Sequence, residues 1–203
     1  MQQTLHLKQA YINKANAFLG LCKIRVVMLM LLSALTGMLL AQQSYDGKLM
    51  LLGLIGIALC ASASAVINHI VDQNIDPIMR RTENRPLVLA TVSNHEACTF
   101  AAILAALGLG TLYFYSNTLA MIMTFFSMIG YAFIYSVLLK HHTSQNIVIG
   151  GLSGALPPLL GWTAITGHLD PQAWILVMII FAWTPPHFWA LAISVSDSSS
   201  GSQ

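Results

Sequence analysis

Polar residues along this chain come in short clusters, and between them lie long apolar runs. Six runs stand out, at residues 24–42, 49–70, 97–115, 118–139, 147–166 and 173–194. An apolar stretch of about 18 residues or more reads as a membrane span. Backbone polar groups in lipid must be satisfied within the protein, and continuous runs of this kind do so as helices. The connections QQSYDGK (42–48), SNT (116–118) and GHLDPQ (167–172) are short, whereas 71–96 and 140–146 hold most of the polar chemistry. The pattern predicts an all-α polytopic membrane bundle of about six transmembrane helices, with one working face. Residues 1–193 read as one domain, followed by a polar, Ser-rich tail over 194–203. The first run follows a more polar lead and precedes five others, which argues against a cleaved signal peptide.

Composition agrees. The chain is 56% hydrophobic and only 8% charged, with a mean hydropathy of +0.70, too apolar for a soluble domain of this length. Net charge says little, but its distribution says more. Of the nine Lys and Arg, eight (Lys8, Lys14, Lys23, Arg25, Arg80, Arg81, Arg85 and Lys140) fall on one side of the predicted topology, and Lys48 alone on the other. Basic residues favour the cytoplasmic side, so the N-terminus is expected inside. Cys22, Cys60 and Cys98 form no C-x-x-C pair and read as small apolar residues.

The cytoplasmic segment NHIVDQNIDPIMRRTENRPL (68–87) carries the strongest chemical signal. On a helix, Asn68, Asp72 and Asp76 would share a face. Two carboxylates and an amide beside Arg80, Arg81 and Arg85 suit a divalent cation and the polyanion it bridges, since Mg2+ takes carboxylates together with phosphate oxygens and arginine binds phosphate in a bidentate manner. Asp76 precedes Pro77, which also fits a plain helix end. Arg81 and Arg85 read either as phosphate contacts or as topology anchors, and His69 as a bystander. Lys140, followed by His141 and His142, is either a second phosphate contact or a cationic helix C-terminus favoured by the helix dipole. NIVIGGLSGALPPLLGW (146–162) holds small residues that permit close helix approach and two prolines that kink or break the helix where a cavity can form. FAWTPPHFWALA (181–192) places His187 among prolines and aromatics, where it serves packing, a polar substrate group or haem iron.

Together these stretches resemble the UbiA superfamily of intramembrane prenyltransferases and, within it, the haem O synthase (protohaem IX farnesyltransferase) family. LCKIRVVMLMLLSALTGMLLA (21–41) is similar to the family's opening helix, with Ile24 where the family has proline. Asn68, Asp72, Asp76, Met79, Arg81, Thr82, Arg85 and Pro86 match N-x-x-x-D-x-x-x-D-x-x-M-x-R-T-x-x-R-P. Lys140, Thr143 and Asn146 match the family's L-K-R-x-T-x-x-N-I segment, with His141 in place of arginine. FAWTPPHFWALA is similar to the stretch that separates this family from the quinone and chlorophyll prenyltransferases. The resemblance covers residues 20 to 193.

It implies a UbiA-like fold and an enzyme that joins farnesyl diphosphate to a vinyl group of haem B, adds water and releases diphosphate, giving haem O. It implies Mg2+ as cofactor on Asn68, Asp72 and Asp76, which are the catalytic residues. Arg81, Arg85 and Lys140 would contact the diphosphate, and His187 would seat haem B. The lipid bilayer of the inner (cell) membrane would surround it, with haem A synthase or terminal-oxidase assembly as associates. The family pattern continues beyond Ile193 with a second acidic motif containing D-Y. Asp197 falls near that place but is followed by Ser198, so that role is not carried onto it. A C-terminally truncated copy, lacking the last three helices of the family fold, is therefore expected. An inactive membrane fragment that still binds diphosphate, another UbiA-type prenyltransferase with an aromatic acceptor, and a transporter with an acidic ion site are the alternatives. The transporter reading lacks recognisable inverted repeats.

Overall fold

The computed structural model describes residues 2–41, 46–73, 76, 82–83, 85–131 and 146–200. Every regular element among them is a helix: α1 (Gln2–Leu21), α2 (Ile24–Leu40), α3 (Gly47–Asp72), α4 (Asn94–Tyr115), α5 (Thr118–Ile129), α6 (Asn146–Ala155), α7 (Pro157–Thr166) and α8 (Pro171–Ser200). The predicted all-α bundle is what forms.

Helix starts follow local chemistry. The Asp46 carboxylate accepts from the Lys48 and Leu49 amides at 2.9 and 3.4 Å, capping α3. Ser93 and Glu96 cap α4 reciprocally, satisfying amides that the first turn leaves open. Asn117 caps α5 by accepting from the Ala120 amide at 2.8 Å, while its Nδ2 donates to the Thr163 carbonyl at 2.8 Å. One short connection thereby ties α5 to the end of α7. Gly167 ends α7 with a φ of 69°, the left-handed conformation that glycine adopts at little cost. Next to it, the Trp162 indole donates to Asp170 at 2.7 Å and holds the turn into α8.

Several predicted spans are reshaped. Among the described residues, α3 and α4 are each long and apolar enough to cross a membrane alone, and the pair α1–α2, bent by 48°, adds a third. The lead before the first run is therefore helical, and the bend sits at Lys23, with φ 49° and ψ 51°. The run expected as one helix over 147–166 is two helices broken at Leu156. Pro157 and Pro158 lack amide hydrogens, so they open a new helix more readily than they continue one. Pro185 and Pro186, by contrast, lie inside α8, and that helix runs on through Ser200, across residues read from sequence as the start of a polar tail. The fourth run begins as α5, and its remainder, 132–139, lies outside the described residues.

Small residues bring the helices together. α3 packs along α4, and α2 along α7. A Cβ added at Gly161 would run into the Ala34 carbonyl, and one at Gly37 into the Pro158 carbonyl, so α2 and α7 touch backbone to backbone. Gly56 and Gly108 play the same part between α3 and α4. This is how membrane helices gain packing energy where lipid removes most of the hydrophobic drive. The outward surface is apolar, with Leu29, Phe114 and Ile175 each more than half exposed, as lipid contact requires.

Candidate functional site

The last turns of α3 bring Asn68, His69 and Asp72 to the mouth of the bundle, all buried. Asp72 is the final helical residue, and Gln73 caps the helix with its amide on the Ile70 carbonyl. Asp76 therefore does not extend the helical face predicted for it. Asp76 lies beyond the end of α3, and a different device brings its carboxylate to the site.

That device is the turn before α4. Leu87 and Val92, 4% and 1% exposed, anchor it in an apolar cluster with Leu21, Val66 and Ala97. The Thr91 hydroxyl and amide both donate to the Pro86 carbonyl, at 2.8 and 3.0 Å. Thr82 donates its hydroxyl to the Asp76 carbonyl at 2.8 Å, and the Arg85 amide donates to the Thr82 carbonyl at 3.1 Å. Arg85 is thus aimed back at the acids. Its Nη1 donates to Asp76 Oδ1 and Oδ2 at 2.8 and 2.7 Å and stands 3.9 Å from Asp72 Oδ2. The side chains of Asp72 and Asp76 are 4% and 7% exposed, and that of Arg85 21%. Carboxylates so deeply buried persist only with compensating charge.

Two buried carboxylates already facing one cation, with the Asn68 amide one helical turn from Asp72, form an all-oxygen donor set of the type Mg2+ takes. Among the described residues no group of three or more His, Cys, Asp or Glu forms a ready-made metal cluster. The remaining coordination positions would fall to phosphate oxygens and water. Asn68 Oδ1 accepts from Lys23 Nζ at 2.6 Å.

Lys23 also lines a cavity of about 150 Å3 and so joins it to Asn68. Its walls are Val26, Val27 and Met30 of α2, Ile57, Cys60, Ala61, Ser64 and Ala65 of α3, and Thr124, Ser127 and Met128 of α5, with Tyr131 beyond. Ser153, Gly154, Pro157 and Leu160 complete it from the break between α6 and α7. Pro157 of the proline pair thus borders a cavity, as the sequence predicted. A charged rim over a largely apolar interior accommodates an amphiphile whose head is anionic and whose tail is hydrocarbon.

The structure therefore unites Asn68, Asp72, Asp76 and Arg85. Arg80, Arg81, Lys140, His141 and His142 lie outside the described residues. His187 is on the exposed side of α8, its ring stacked on Trp183 at 4.2 Å and 17°, and it does not line the cavity. Two residues of the site escaped the sequence reading. Lys23 counted there only as a topology charge, because nothing local signals a partner 45 positions away. His69, read as a bystander, is 4% exposed, and neither ring nitrogen is hydrogen-bonded among the described residues. Its burial beside Asn68 was the available clue.

The sequence profile of the UbiA prenyltransferase family matches residues 30–200. A protein of Psychromonas ingrahamii named protoheme IX farnesyltransferase is 55% identical over 188 residues, 92% of this chain and 60% of that protein. Relatives of the same name from Legionella pneumophila (strain Paris) and Hahella chejuensis are 55% and 56% identical, each over 87% of this chain and 60% of their own length. This chain thus spans about 60% of the curated relatives it matches. A UbiA homolog from Archaeoglobus fulgidus, solved bound to DMAPP and Mg2+, superposes with a TM-score of 0.72 at 19% identity, over 84% of this chain and 62% of that one. The same homolog bound to GPP and Mg2+ gives 0.69 over the same shares. At that identity the likeness concerns the fold. With the profile matched over most of its length on the same fold, this multi-pass membrane chain belongs to the UbiA prenyltransferase family.

Proposed function

We propose that the chain carries the diphosphate-binding part of a protohaem IX farnesyltransferase, which joins farnesyl diphosphate to a vinyl group of haem B and adds water to give haem O and diphosphate. The observation that carries this reading is the pair of buried carboxylates sharing a cation next to Asn68, whose partner Lys23 lines an apolar cavity. The names of the relatives above point to the acceptor and the prenyl donor.

Each residue has a task in that chemistry. Asp72 and Asp76, with Asn68 in support, would hold Mg2+. When bound, Mg2+ would neutralise the diphosphate and make it a better leaving group. Arg85, together with Arg81 and Lys140 beyond the described residues, would bind the diphosphate oxygens and hold the allylic carbon at the rim of the cavity. Preorganised donors of this kind supply much of the stabilisation of a developing leaving-group charge. The apolar walls, from Val27 to Leu160, would keep water from the allylic carbon until it meets the vinyl group. His187, its ring backed by Trp183, would seat haem B against α8. The protein would sit in the inner membrane, and the distribution of basic residues supports a cytoplasmic N-terminus, so that diphosphates reach the site from the cytoplasm. Haem O released there would pass to haem A synthase or terminal-oxidase assembly.

A chimera tests the reading. This chain replaces the matching segment of the Psychromonas ingrahamii protein, and the product is reconstituted in nanodiscs with haem B, farnesyl diphosphate and Mg2+. Mass spectrometry is expected to find haem O. A chimera that folds, yet leaves haem B unchanged while prenylating a phenolic or quinol acceptor, would assign it to a different branch of the family.

A further inference from the structure

Lys23 has three properties that the proposed chemistry does not use. Its backbone is left-handed, a conformation that a side chain with a Cβ rarely adopts outside sites that constrain it. Its Nζ donates to Asn68 Oδ1 at 2.6 Å. It is also, among the described residues, the cationic group in the lining of an otherwise largely apolar cavity. The second property conflicts with a metal on Asn68, because an ammonium group on that oxygen repels a dication approaching the same atom. Arg85 stands in the same relation to the carboxylates. Both cations therefore bond to oxygens proposed as metal ligands.

From this we infer that Lys23 is a cation placeholder. It occupies Asn68 while the site lacks metal and transfers to the diphosphate when metal and diphosphate arrive together. This inference rests on the proposed diphosphate chemistry and adds a residue and an order of binding to it. The bend between α1 and α2 fixes where the lysine stem begins. From that point Lys23 both reaches Asn68 Oδ1 and lines the cavity. Metal alone must displace an ammonium from Asn68 and so binds weakly. The metal–diphosphate pair gives that ammonium an anionic partner and binds well. Uncoupled metal is thereby kept from closing the site before the prenyl donor arrives.

The placeholder role has an unusual signature, because one substitution shifts two affinities in opposite directions. Mn2+ binding is measured by paramagnetic resonance on the 203-residue chain in nanodiscs, without diphosphate. Inorganic diphosphate binding is measured by calorimetry at saturating Mn2+. Lys23→Met is expected to tighten Mn2+ by roughly tenfold through loss of a nearby like charge. It is expected to weaken diphosphate by roughly tenfold through loss of a charge-assisted hydrogen bond. Lys23→Gly, which suits the left-handed backbone, should repeat both shifts and so separates them from any damage to the bend. Weakening of both ligands in both variants, or no change in either, would overturn the inference while leaving prenyl transfer intact. An unsubstituted chain that bound no Mn2+ at all would remove the metal reading and this inference with it. A chimera that bound both ions normally but made no haem O would count against the acceptor alone.

Discussion

Arg85→Met removes a cation that both carboxylates share, and its consequence can be worked from the geometry. The Asp76 leg is short, at 2.7 and 2.8 Å, and the Asp72 leg is long, at 3.9 Å, so most of the loss falls on Asp76. The two acids are almost fully buried and the arginine about four-fifths so. Surface screening therefore discounts the pair only modestly, and removing one partner of a buried pair costs about 3–5 kcal/mol. Asp76→Asn in the Arg85→Met background removes the stranded charge and should restore about 2–3 kcal/mol of that loss, a coupling readable from a double-mutant cycle. Mg2+ should also rescue the single variant, since a ligand at a hundredfold above its Kd stabilises by about 2.7 kcal/mol. It should rescue the double variant much less. The assay is reversible unfolding in mixed detergent and dodecyl sulfate, followed by tryptophan fluorescence with and without Mg2+. Strictly additive losses, or no loss in the single variant, would refute the shared-cation geometry.

Other positions test the scaffold. Gly161→Ala should destabilise the bundle by about 3 kcal/mol or more, because its Cβ meets the Ala34 backbone, whereas Gly110→Ala, with open space around it, should be neutral or gain about 0.5–1 kcal/mol in the same assay. His69→Leu should raise stability by about 1 kcal/mol in the metal-free chain, since it removes buried nitrogens that have no partner among the described residues; a clear loss would show that the imidazole serves the fold. For topology, in a background lacking Cys22, Cys60 and Cys98, an impermeant thiol reagent added outside should label Asp46→Cys or His168→Cys and spare Glu83→Cys. The reverse pattern would invert the orientation.

The apolar periodicity made the helices legible because lipid demands long uninterrupted runs, and α3 and α4 needed nothing more. The break at Pro157 was visible as a proline pair. Its outcome differs from that at Pro185 and Pro186, which carry the same local signal inside an unbroken helix. Neighbours decide that difference: α7 lies backbone to backbone on α2 through Gly37 and Gly161, and a continuous helix would have to give up that contact. At the site, the chemistry of Asn68, Asp72 and Asp76 could be read from residue type and spacing. The reason they meet could not. A helical face was expected to align Asp76, yet the helix ends at Asp72, and Arg85 draws the acid in from a turn anchored by Leu87 and Val92. Lys23 was beyond local pattern altogether, since its partner arrives only when α2 and α3 pack.

The most direct test concerns the two acids and the metal they are held to carry. Equilibrium binding of farnesyl diphosphate to the reconstituted chain is measured with Mg2+ and with a chelator, for the unsubstituted protein and for Asp72→Asn and Asp76→Asn. The account predicts binding that depends on Mg2+ in the unsubstituted chain and falls about tenfold or more in each variant, through loss of a charged ligand. Equal affinity with and without Mg2+, or binding that survives both substitutions, would contradict it.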